Sequence, residues 1–214
     1  MSFKCLIISC LGVFVLFCAG CAEKAVEGHE KGQKLFEAGK FIEAYDELSN
    51  AMRTGGPSFM KSYYRGLTNF KLKKNQAAIA DLKKAIELDP SHPGAYFSLG
   101  YTYHALREDD QALNYYNQAI ENLNLEQLDE QFKVVAAKTY FNRGIIQGGF
   151  KNFQEAIDDY TKSIQIDPDF GDSYYRRGVF RLVLSQGQQG CDDILLGLQK
   201  GSGDPYAVGK ECQK

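Results

Sequence analysis

Glycine recurs along this chain at an interval that restricts the fold more than any other feature of the sequence. Gly32, Gly66 and Gly100 stand 34 residues apart, Gly144 and Gly178 are again 34 apart, and the interval of 44 from Gly100 to Gly144 marks an insertion of ten residues. Twelve residues past each glycine comes another small residue: Ala44, Ala78, Ala112, Ala156 and Gly190. Seven further on stand Ala51, Ala85, Ala119, Ser163 and Gly197, and between the two small positions Leu48, Leu82, Tyr116, Tyr160 and Ile194 fill a large apolar slot. The stretch from Tyr140 to Pro168 shows what one period contains, two apolar-periodic runs split at Gly148-Gly149 and closed by Asp167-Pro168. Such a run pair predicts a helix hairpin with one wet face. A lone hairpin of this kind cannot bury its apolar face, whereas a stack can.

In this register the units are 25–58, 59–92, 93–126, 137–170 and 171–204, with 127–136 inserted and 205–214 left as a C-terminal cap. Helices are expected near 26–38, 42–53, 59–72, 75–88, 93–106, 109–122, 137–149, 153–166, 171–185 and 188–200. The inserted segment lacks Gly and Pro, and Asn124 followed by Gln127 reads as a capping box, so the seventh helix is expected to begin near Leu125, about two turns early, with a simple loop over 127–136 as the alternative. Pro90 and Pro168 close two units, because the residue before proline avoids the helical region.

A period of 34 with small residues at positions 8, 20 and 27, a large apolar residue at 24 and proline near 32 resembles the tetratricopeptide repeat. The resemblance spans nearly all of the chain after residue 24. It implies an all-α, right-handed superhelical solenoid of about five hairpins that binds proteins rather than transforming a substrate. It further implies that the first helix of each unit lines a concave groove. On that reading the partner-binding residues are Tyr63, Tyr64 and Leu67, then Phe97 and Tyr101, then Phe141 and Asn142, then Tyr175 and Arg176. An aromatic groove suits an extended or helical peptide. The carboxylate clamp of some relatives is matched only at Asn142 and Arg176 and contradicted at Phe97, Tyr101 and Asp172, so a clamp is not expected.

Comparison of the units brings out a second regularity. Positions 7 and 23 read Lys31 and Glu47, Arg65 and Asp81, Arg143 and Asp159, Arg177 and Asp193, while the one unit without a base, at Leu99, also lacks the acid and has Tyr115. The two positions are expected to face each other as exposed ion pairs worth about 0.2–1 kcal/mol each. The fifth unit reads as the loosest, since Gly187, Gly190 and Gly197 lie in or beside its second helix and an interior Gly costs roughly 1 kcal/mol against Ala.

The first twenty residues are a separate object. After Lys4 comes an uncharged apolar run that ends in Cys18-Ala19-Gly20-Cys21, the parts of an export signal. The small-small-Cys ending resembles the lipobox of bacterial lipoproteins. It implies a signal peptide over 1–20, a lipid such as palmitate on Cys21, a short tether over 21–24, and an outer-membrane address facing the periplasm, Ala22 standing where an inner-membrane signal would carry Asp. An ordinary cleaved signal or a short anchor are the alternatives. Of six Cys, three leave with such a signal and Cys21 is lipidated, so Cys191 and Cys212 remain in an oxidising compartment, where a disulfide is expected.

Chemistry is not written elsewhere. There is no phosphate-cradling Gly loop after a strand, no HExxH, no GxSxG and no Cys/His nucleophile pattern. His29, His92 and His104 are too scattered for a metal site, and a net charge of −2 gives no field for nucleic acid. The sequence therefore predicts no enzyme, no cofactor, no metal and no small-molecule substrate, but a scaffold for protein or peptide partners at the membrane. The alternatives are an accessory or pilot role in pilus, secretin or peptidoglycan-enzyme assembly, or a self-associating lipoprotein.

Overall fold

Among the described residues ten α-helices run in antiparallel pairs: α1 (Ala19–Glu37), α2 (Phe41–Gly55), α3 (Phe59–Lys71), α4 (Asn75–Leu88), α5 (Pro93–Ala105), α6 (Asp109–Glu121), α7 (Glu130–Gly149), α8 (Phe153–Ile166), α9 (Gly171–Val183) and α10 (Gly187–Gln199). They are preceded by a short antiparallel strand pair, β1 (Leu6–Cys10) and β2 (Val13–Phe17). The structure, a computed structural model, describes residues 6–10, 13–17, 19–204 and 207–213, with side chains described from residue 28 onward except at Gln127. The chain divides into two compact units, Met1–Ser91 with the first two helix hairpins and His92–Lys214 with the other three.

The core of each hairpin follows the small-residue register. The large residue at position 24 is fully buried in all five (Leu48, Leu82, Tyr116, Tyr160 and Ile194), and the small residues at positions 20 and 27 flank it. Why position 8 must be glycine is visible at Gly100, where a Cβ would lie 2.8 Å from the Tyr116 ring and 3.2 Å from the Ala112 carbonyl. Methyl-sized volume there would separate the paired helices.

The turn inside every hairpin is built the same way. Position 15 is left-handed in all five, Gly39 and then Lys73, Arg107, Lys151 and Ser185, with φ between 61° and 74°. It sits just past the first helix, and the backbone closes with the paired bonds of a Schellman motif. In the second hairpin Lys73 N–H donates to Phe70 at 3.0 Å and Lys74 N–H to Asn69 at 2.8 Å. Four of the five turns place a non-glycine residue in this strained region, so the signal that usually marks it was absent from the sequence.

Two helix starts differ from expectation. The α7 N-cap is Asp129, whose carboxylate accepts from Gln131 N–H at 3.2 Å, so the α-helix starts at Glu130, five residues later than expected. Residues 125–127 make a 3₁₀ turn instead. An Asp two residues before a backbone N–H is the shorter route to a cap. The helix is nonetheless 20 residues long against 13 for α5 and α9, about two extra turns. At the other end α1 runs back to Ala19, so residues 21–24, expected as a tether, are helical. The expected lipid site at Cys21 has its side chain outside the described residues, as do all residues of the 1–20 segment. Among the described residues no helix is long and apolar enough to cross a membrane.

Candidate functional site

The position 7 and 23 pairs form, and three of the four are less exposed than expected. Lys31 pairs with Glu47. Arg65 Nε donates to Asp81 at 2.8 Å, Arg143 grips Asp159 at 2.9 and 2.6 Å, and Arg177 grips Asp193 at 2.7 Å through two nitrogens. Asp81, Asp159 and Asp193 are buried, only 4–7 % exposed, so the exposed-pair magnitude does not apply to them. A carboxylate buried in an ion pair must be satisfied by donors on every side.

A third residue helps, at position 11: Asn69 Nδ2 donates to Asp81 at 2.9 Å and Arg181 to Asp193 at 2.6 Å, while in the third hairpin Tyr103 stacks on Tyr115 with centroids 5.4 Å apart. The arginines also reach the preceding hairpin. Arg143 donates to Asn117 at 2.8 Å and Arg177 to Thr161 at 3.2 Å. These groups are committed to the fold.

Partner recognition is therefore sought on the first helices. In the first unit, α3 presents Tyr63, Tyr64 and Leu67, all half-buried. Phe59 stacks on Tyr63 at 5.5 Å, Tyr63 meets Tyr64 edge-on, and Tyr64 meets Phe36 of α1 edge-on at 5.8 Å. Burial and then the nearby Glu37 push the Tyr64 hydroxyl pKa up, which keeps it neutral. The second unit carries its own aromatic surface. Phe97 is half-buried and stacks on Tyr101, which is 42 % exposed. Phe97 rests on Tyr116 beneath it at 6.0 Å.

Two of the expected groove residues take other roles. Asn142 is buried and its amide donates to the Lys138 carbonyl at 2.7 Å, one turn back in its own helix. Tyr175 is 1 % exposed, and its hydroxyl donates to Asp204 at 2.6 Å. Phe141 and Arg176 stay half-buried, with the Arg176 guanidinium 5.6 Å above the Phe141 ring in a cation–π arrangement. Around them lies a pocket of about 520 Å³ that also takes in Asp172, Ser202, Gly203 and Asp204.

The last three come from the segment after α10, which the repeat register did not connect with α9. The only available hint was the alternation of Ser202 and Asp204 among glycines. The Tyr175 hydroxyl, followed by the N–H groups of Gly209, Val208 and Ala207, holds the Asp204 carboxyl below the usual carboxylate range against the effect of burial. Cys191 and Cys212 are joined, with sulfurs 2.08 Å apart. Among the described residues no group of three or more His, Cys, Asp or Glu is arranged to hold a metal ion.

Family models of the tetratricopeptide repeat match residues 66–106, 93–122 and 137–170. Among curated proteins, the chain is 35 % identical over 100 residues to the UDP-N-acetylglucosamine–peptide N-acetylglucosaminyltransferase of Giardia intestinalis, over 46 % of this chain and 6 % of that protein. It is 23 % identical over 183 residues to RNA polymerase II-associated protein 3 of Xenopus laevis, over 79 % of this chain and 28 % of that protein. The chain thus spans less than a third of the length of these relatives. Three solved structures share the fold. MamA superposes with a TM-score of 0.66 at 23 % identity, covering 79 % of this chain and 93 % of that one. The Pseudomonas aeruginosa pilF protein gives 0.74 at 13 %, covering 86 % and 80 %. YrrB, described as a TPR protein with an unusual peptide-binding site, gives 0.65 at 15 %, covering 89 % and 93 %.

Proposed function

The chain belongs to the tetratricopeptide repeat family, and from that premise we propose that it is a non-catalytic adaptor that binds peptide segments of partner proteins on the aromatic faces of its first helices. The observation that carries this reading is the Phe97–Tyr101 pair on α5, where Tyr101 is 42 % exposed although ring area of that size is normally buried. Aromatic anchors backed by a packed floor, here Tyr116 beneath Phe97, are the usual centres of binding energy. Tyr63 and Tyr64 offer a similar surface in the first unit. The arginine–aspartate groups are consumed in fastening hairpins, which supports a binding role over an enzymatic one.

Tethering to the bacterial outer membrane through a lipid on Cys21 is part of the proposal, supported by the apolar run and the Cys18-Ala19-Gly20-Cys21 ending. Because α1 is helical from Ala19, the mature adaptor would begin its first repeat directly at the anchor and stand close to the bilayer. Mass spectrometry of the mature N-terminus tests the anchor, and an unmodified Cys21 would overturn it. Pull-down from detergent-solubilised membranes tests the binding surface. Tyr101→Ala with Phe97→Ala should lose partners that the wild type retains, and an unchanged set of partners would reject the α5 surface.

A further inference from the structure

The segment that follows α10 makes donor and acceptor contacts on α9 of the kind a bound peptide would make. Ser202 Oγ donates to the Asp172 carboxylate at 2.7 Å, and two residues later the Asp204 carboxylate accepts from the Tyr175 hydroxyl at 2.6 Å. Tyr175 is one of the residues from which recognition was expected, and Asp172 sits one turn earlier on the same helix. The segment is held there from both sides. Upstream, Lys200 pairs with Asp169 at 2.7 Å and Ser202 N–H donates to the Gly197 carbonyl at 3.0 Å. Downstream, the N–H groups of Val208 and Gly209 both donate to Asp204 at 3.1 Å, and Cys212 is bonded to Cys191 of α10.

We propose that Ser202–Asp204 is an intramolecular stand-in for a partner, occupying a binding site on the fifth hairpin. The stand-in specifies what the site accepts: an extended acidic segment with a hydroxyl residue followed two positions on by a carboxylate. Two residues of extended chain span roughly 7 Å, which places the two groups on the same side of the peptide to meet Asp172 and Tyr175 together. Arg176, half-buried over Phe141 at the edge of the same pocket, makes no ion pair or hydrogen bond among the described residues and stands ready for a further acidic group of a longer ligand. Tethering makes the internal segment a strong competitor, because a short flexible linker gives it an effective concentration in the millimolar range. The Cys191–Cys212 bond ties down the far side of the segment as well. Only a partner that binds more tightly than the stand-in, or one that meets a loosened tail, occupies the site.

This inference rests on the adaptor reading, and it is tested separately by fluorescence anisotropy with a labelled peptide copying residues 199–204. The full-length protein carrying Ser202→Ala and Asp204→Asn should bind this probe at least about tenfold more tightly than the wild type does. Adding Tyr175→Phe should remove the gain while leaving the helical melt in place. The milder Ser202→Gly variant should give an intermediate gain, and it replaces the double variant if that one does not fold. Equal affinity in wild type and variants, binding indifferent to Tyr175→Phe, or no binding to any form overturns the stand-in. In each of those cases the adaptor reading still stands or falls on the α5 pull-down alone.

Discussion

In the α7–α8 hairpin the two helices meet through a ring. A Cβ built on Gly144 would touch the Tyr160 ring at 3.0 and 3.1 Å and the Ala156 carbonyl at 3.3 Å. In the α9–α10 hairpin they meet backbone to backbone: a Cβ on Gly178 would lie 2.5 Å from the Gly190 carbonyl, and one on Gly197 would lie 2.7 Å from Tyr175 N. The glycines that made the fifth hairpin read as loose are thus the reason its helices lie so close. A ring can tilt by a few tenths of an ångström, whereas a backbone cannot without moving its helix. Gly187, at the start of α10, meets nothing within 4 Å, and only that glycine keeps the loosening role first expected of all three. The same residue type carries opposite meanings according to whether it stands on the contact stripe.

That contrast gives four tests, in order of expected size. Asp193→Ala removes a carboxylate, 6 % exposed, that both Arg177 and Arg181 bond, leaving Arg177 with Thr161 at 3.2 Å, and should cost about 4 kcal/mol in urea unfolding. Asp159→Ala takes the carboxylate from one guanidinium, Arg143, rather than from two and should cost less, which makes the fifth hairpin the more dependent on its ion cluster. Next, Gly178→Ala should destabilise by about 3 kcal/mol and Gly144→Ala by about 1–2 kcal/mol. Equal losses would contradict the distinction between ring contact and backbone contact.

Third, Cys212→Ser opens a crosslink spanning 21 residues. It should lower stability by up to about 3 kcal/mol and release hydrogen-exchange protection in α10 while α8 is unchanged. Equal changes in α8 and α10 would mean that the tail does not act locally. Finally, the Asp204 carboxyl is depressed in the folded chain. Its contribution is present above the unfolded carboxylate value near 4 and is lost as pH falls through the folded value. Tail protection should therefore fade below about pH 4, and Tyr175→Phe should weaken that dependence.

Much of this architecture was legible because helix packing repeats. Gly32 through Gly178 gave the register, and the covariation of Leu99 with Tyr115 gave the facing of positions 7 and 23. Facing did not reveal burial. That Asp81 and Asp159 sit in the interior depends on Asn69 and on the Arg143–Asn117 bridge, whose partners lie 12 and 26 residues away with no pattern to connect them. The candidate site divided in the same way. Periodicity singled out Phe97 and Tyr101, and both lie on the α5 surface. Periodicity also singled out Tyr175, but it says nothing of the tail, and it is Asp204 that turns this residue from an open contact into a covered one.

The left-handed residue inside each hairpin bears on how the chain tolerates change. Lys73, Arg107, Lys151 and Ser185 each hold a conformation that costs an L-residue with a side chain roughly 1–2 kcal/mol, in turns far enough apart to act independently. Selection has left that energy unclaimed at four sites where one glycine codon would recover part of it. Such a chain carries an internal reserve, so a costly substitution on a partner-facing surface can be offset at a turn that touches no partner.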